Sequence, residues 1–106
     1  MREIRWHHAA EDEFAAIVTY VMQTFGQNVA LKVYEDIMSR IDLLAEFPEL
    51  GSAEPRYQYK DMPMRVLHSK LTRVYYCVQE TEVFIVLLWN NRMDDRALKK
   101  LFAKRD

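Results

Sequence analysis

The stretch EDEFAAIVTYVMQTFGQNVA, residues 11–30, decides how the first half of the chain folds. Phe14, Ile17, Val18, Val21, Met22 and Phe25 stand at i, i+3, i+4, i+7, i+8 and i+11, a single apolar stripe on a helix. Glu11, Asp12 and Glu13 fall in its first turn, where carboxylates favour the positive end of the helix dipole. Gly26 stands where a left-handed C-cap is expected. A second helix opens at Gln27 or Asn28, with Asn28 as its N-cap, and carries Ala30, Val33, Tyr34, Ile37, Ile41, Leu44 and Ala45 at helical spacing. Phe47-Pro48-Glu49-Leu50-Gly51 stops it, because proline disfavours helical geometry at the residue before it. With only a residue or two between them, the two helices must be antiparallel neighbours sharing one apolar side, an α-hairpin.

Outward from the hairpin the periodicity changes. Ile4 and Trp6 alternate with Glu3 and Arg5, which predicts a short N-terminal strand. Residues 52–62 are polar, with Pro55 within them and Pro63 just beyond, and read as a surface loop. Three strand-like runs follow, at residues 64–68, 73–78 and 83–89, joined by Ser69-Lys70-Leu71-Thr72 and Gln79-Glu80-Thr81-Glu82. Connections of that length make an antiparallel meander. The last run is apolar at every position, as expected of a central strand covered on both faces. Asp94 and Asp95 then precede Ala97, Leu98, Leu101 and Phe102, a short amphipathic helix with Lys99, Lys100 and Lys104 toward its C-terminal end. The order is β-α-α-β-β-β-α, an α+β class in which an antiparallel sheet carries the α-hairpin on one face. The N-terminal strand joins an edge or inserts.

At 106 residues the chain has the length of one domain, residues 1–106. Half of its residues are hydrophobic and only two are glycine and three proline, which suits a packed core and excludes disorder as the organising state. Cys77 has no partner for an internal disulfide, and the start Met-Arg-Glu-Ile-Arg-Trp has no signal-peptide character, so a cytoplasmic protein is expected. No segment approaches membrane-spanning length. The near-neutral charge hides an asymmetry. Residues 1–50 hold four basic and nine acidic residues, whereas residues 51–106 hold eleven basic and seven acidic. Such separation allows a cationic face on a chain whose pI, near 6.3, does not suggest general nucleic-acid binding.

Several local signals together resemble the RelE/ParE toxin superfamily of type II toxin–antitoxin systems. Trp6, Ala9/Ala10, the acidic run and Phe14 resemble the family's strand-to-helix junction, and Tyr20, Phe25-Gly26 and Ala30 its first helix pair. Leu44-x-x-Phe47-Pro48-x-x-Gly51 resembles the family's ending of the second helix. Arg65-Val66-Leu67, Arg73-Val74-Tyr75-Tyr76, the apolar strand and Arg92-x-Asp94 resemble its C-terminal half. The long hairpin is closer to the ParE branch. The resemblance implies a cognate antitoxin whose disordered segment folds over the toxin, a toxin–antitoxin hetero-oligomer, and either DNA gyrase or the ribosome with its mRNA as target.

For a nuclease, the resemblance offers Arg65, Lys70, Arg73 and Arg92 as one shared cationic patch that would stabilise phosphate charge. The more ordinary reading of the same four is as solvated strand-end charges or partners for antitoxin carboxylates. Asn90 stands where the family often has histidine, and no tyrosine or histidine follows Trp89. Asparagine is no general base, so both departures weaken a nuclease and favour a toxin that acts by binding gyrase. A family member that has lost toxicity and serves as an antitoxin scaffold is the third alternative. His7, His8 and His68 lack an i, i+4 pair or a nearby cysteine and suggest capping or surface roles, with no metal and no other cofactor expected. Tyr57 and Tyr59, between Arg56 and Lys60, read as loop residues with some capacity to stack on bases.

Overall fold

The computed structural model describes residues 1–106. Strand β1 (Glu3–Trp6) leads into α1 (His8–Phe25) and α2 (Gln27–Leu43). Four strands follow, β2 (Ser52–Tyr59), β3 (Met62–His68), β4 (Thr72–Val78) and β5 (Glu82–Asn90), then a single 3-10 turn (Asp95–Ala97) that runs into α3 (Leu98–Lys104). The strands form one sheet in the order β1-β5-β4-β3-β2. The fold is α+β with the hairpin on one face, as the sequence predicts.

Two features depart from the expected order. Residues 52–62 are mostly a strand, β2, which pairs antiparallel with β3 through Ser52–Val66, Ala53–Arg65, Glu54–Met64 and Tyr59–Met62, with an irregularity between Glu54 and Tyr59. It has no apolar alternation because it is an edge strand. Pro55 is tolerated there, and buried Glu54 is neutralised by Arg56. Lys60 and Asp61 both adopt positive φ (49° and 62°), the two-residue turn that suits the twist of a hairpin. The second departure is β1, which runs parallel to β5 and makes the sheet mixed, with Glu3 opposite Glu82 and Trp6 opposite Ile85.

The hairpin is joined by Gly26 alone. Its φ of 95° and ψ of 169° form an extended, positive-φ geometry that glycine tolerates, not the left-handed helical cap expected. Its N–H donates to Met22 O (3.0 Å) and its carbonyl accepts from Ala30 N (3.1 Å), so one residue closes α1 and opens α2. Asn28 is therefore inside α2 and not its cap. At the other end of α1, His7 caps the helix: its Nδ1 accepts from Ala9 N at 3.0 Å. Helix α1 thus starts earlier than its carboxylates suggest, and only Glu11 of the three is in the first turn.

The sheet separates two apolar layers. On the hairpin side, Ala10, Ile17, Ile37, Ile41 and Leu44 pack on Leu67, Val74, Tyr76, Val83, Ile85 and Leu88. On the other side, Leu98 and Phe102 of α3 pack with Tyr59 of β2 on Val66, Tyr75, Cys77, Phe84, Leu87 and Trp89. Residues of β5 line both layers, as a central strand should. A bulge shifts the β4–β5 register between Tyr75 and Tyr76, so that Val86 and Leu87 both face the α3 side. Tyr57, expected in a mobile loop, stacks on Phe102 (5.0 Å between ring centroids).

Candidate functional site

Strand β1 covers only the first half of the β5 edge. The last rung is His7 N donating to Ile85 O (2.9 Å), after which the chain turns away into α1. From there, side chains complete the edge. Leu88 N donates to Glu13 Oε1 (3.1 Å), and an Arg105 guanidinium nitrogen donates to Val86 O (3.0 Å). Arg105, buried, is clasped to Glu13 at 2.7 Å. A pair shielded this way is sensitive to loss of either member, since the survivor is left as an uncompensated charge.

Beside this clasp lies a groove of about 490 Å³ between α1 and α3, lined by Glu13, Ala16, Ile17, Tyr20, Leu88, Trp89, Asn90, Arg92, Met93 and Leu101. Leu88 belongs to one apolar layer and Trp89 to the other, so the groove wraps around the sheet edge. Its floor is apolar. The Arg92 guanidinium lies 5.1 Å from the centre of the Tyr20 ring, a cation–π geometry, and Arg92 makes no ion pair. The Tyr20 hydroxyl is buried and has no hydrogen-bond partner; Thr72 Oγ1 is the other such atom.

The four cations singled out in the sequence do not converge. Arg65, opposite Tyr76 in the β3–β4 register, lies on the hairpin face, where its guanidinium donates to Gly51 O (2.6 and 3.2 Å) and Glu49 O (3.3 Å). Arg73 lies on the opposite face. It bonds Asn91 Oδ1 (2.9 Å), the Tyr75 hydroxyl (3.1 Å) and both oxygens of Asp95. That bond holds the Asp95 carboxyl below the usual carboxylate range. Lys70 is exposed in the β3–β4 turn, beside a separate groove with Phe25, Val29 and Leu71. Asn91 N donates to Leu71 O (2.9 Å), so Lys70, Arg73 and Arg92 share one end of the sheet. They point to three different surfaces there, and Arg65 stands apart.

His7, His8 and Asp106 bring three donor atoms within 4.8 Å of one another, a grouping that sequence spacing did not suggest. His7 already uses both ring nitrogens, Nδ1 for the Ala9 cap and Nε2 on Asp106 Oδ1 (2.8 Å). With Nδ1 accepting, neutral His7 carries its proton on Nε2, and a cation at that nitrogen would be gained only by breaking the cap. The bond from His7 also holds the Asp106 carboxyl below its ordinary range. Glu13, Tyr20 and Arg105 were the functional candidates missed in the sequence. Arg105 and Glu13 are 92 positions apart, and no local pattern joins them.

A mixed five-stranded sheet with an α-hairpin on one face and a short C-terminal helix on the other defines a small α+β domain. The family described as "ParE toxin of type II toxin-antitoxin system, parDE" matches residues 4–95, and the chain belongs to that family. Among solved structures, the chain is similar to one from the chromosomal ParDE TA system of P. aeruginosa, with a TM-score of 0.68 and 22% identity. That match covers 85% of this chain and 96% of the other. None of the curated proteins matches this chain. No helix is long and apolar enough to cross a membrane.

Proposed function

We propose that this ParE-family chain, folding as one domain, inhibits growth in the bacterial cytoplasm by binding DNA gyrase, and that a cognate antitoxin neutralises it in a hetero-oligomer. The observation that carries binding over cleavage is the dispersal of the cations. Arg65 and Arg73 occupy opposite faces of the sheet, and each has its guanidinium committed to the fold. A nuclease needs its cations around one phosphate together with a group able to move a proton. The α-hairpin, by contrast, presents Met22, Phe25, Val29, Leu31 and Tyr34 to solvent, apolar area that suits a protein partner. The test is gyrase supercoiling with the purified protein, joined to thymidine and amino-acid incorporation after induction. Loss of supercoiling, and of thymidine incorporation while translation continues, is expected. Intact supercoiling with early translation arrest would instead return Arg65, Lys70, Arg73 and Arg92 as catalytic candidates on the ribosome.

A further inference from the structure

From the groove at the β5 edge we infer that this chain holds its antitoxin through an acidic anchor, a partner carboxylate flanked by apolar side chains, seated on Arg92. The inference rests on the antitoxin reading above and specifies where and by what chemistry the partner binds. Three observations support it. The groove floor, Ala16, Ile17, Leu88, Met93 and Leu101, is apolar and spans both layers at the place where β1 leaves the edge uncovered. Its net charge is positive: Glu13 is neutralised by Arg105, while Arg92 has no counter-ion. Lys104, three residues beyond Leu101 and therefore on the same side of α3, adds an exposed cation at the rim.

The third observation is the Tyr20 ring, whose centre lies 5.1 Å from the Arg92 guanidinium and holds that cation beside the apolar floor. One carboxylate can accept two parallel charge-assisted bonds from the Arg92 guanidinium. Nucleic acid fits less well. A phosphate backbone is held by a run of cations, and this groove offers one guanidinium over an apolar floor.

The test uses the full chain and its cognate antitoxin, with affinity read by calorimetry at two salt concentrations and neutralisation read in cells. Arg92→Glu sets a carboxylate against the partner's carboxylate and is expected to weaken binding at least thirtyfold (roughly, for like-charge juxtaposition at an interface). Tyr20→Leu removes the ring that holds Arg92 and is expected to weaken it by about threefold, the scale of an exposed cation–π contact. Lys32→Glu, the same charge change on exposed α2 surface, should stay within about threefold, the scale of a screened distant charge. Replacing the responsible antitoxin carboxylate with lysine should restore binding to Arg92→Glu and not to wild type.

Equal weakening by Arg92→Glu and Lys32→Glu would overturn the anchor and leave only general attraction. So would an Arg92→Glu variant that keeps full affinity for antitoxin but loses gyrase inhibition or self-association, since the groove would then serve another partner. Failure of the antitoxin to bind the wild-type chain would instead sink the antitoxin reading itself.

Discussion

Tyr76→Phe isolates one hydroxyl whose loss should unfasten the turn between α2 and β2. That hydroxyl accepts from Gly51 N at 2.9 Å and donates to Pro48 O at 2.8 Å, while Arg65 grips Gly51 O from the side. Phenylalanine keeps the ring in the hairpin-side core, so the change removes hydrogen bonds without removing packing. Gly51 is buried, so its N–H does not reach bulk solvent once the hydroxyl is gone. Gly51 N–H is thus left buried and unpaired, costing about 1–3 kcal/mol, while half-exposed Pro48 O recovers its bond from solvent. We expect a loss of about 2 kcal/mol, equivalent to a fall in Tm of about 10 °C for a domain near this size. Urea and thermal unfolding followed by circular dichroism measure it, with an unchanged m-value as the sign of a pure stability effect. Tyr75→Phe is the companion variant: its hydroxyl accepts one bond from Arg73, which keeps Asp95 and Asn91, so its cost should stay below about 1 kcal/mol. A Tyr76→Phe loss under about 0.5 kcal/mol, or no larger than that of Tyr75→Phe, would refute the reasoning that this hydroxyl fastens the turn.

Further predictions concern the sheet edge and the acid range. Arg105→Ala strips Val86 O of a donor and leaves Glu13 without its cation, and should cost about 2–4 kcal/mol in equilibrium unfolding. Arg105→Lys should recover only part of that, because one ammonium cannot reproduce the fork that spans Glu13 and Val86. Asp95 gives a pH signature. Its folded carboxyl is held below the ordinary range by the Arg73 bond, so the stability it contributes is present above its unfolded pKa and is lost as pH falls through the folded one. Stability measured from pH 6 downward should therefore fall more steeply below about pH 4 in wild type than in Asp95→Asn. Equal slopes would show the pair to be idle.

The hairpin, the meander and the buried last strand were legible along the chain because each depends on residues close in sequence. The stripe from Phe14 to Phe25 has the helical period, Pro48 stops α2, and the run from Val83 to Trp89 has no polar position to turn toward water. Cross-strand placement was not legible. Arg65 and Arg73 each read as strand-end cations, but their faces depend on register, and a single-residue change in register reverses the face. Strand β2 escaped notice because an edge strand answers to only one neighbour, so Pro55 and a neutralised Glu54 can sit where a central strand would need apolar alternation. The groove belongs to tertiary structure alone. It exists because β1 stops at Trp6, because Arg105 returns to Glu13 from the far end of the chain, and because α3 closes the other side. Local periodicity sets the elements through short-range sterics and burial, whereas a site built from α1, β5 and α3 forms only when long-range packing joins segments that share no pattern.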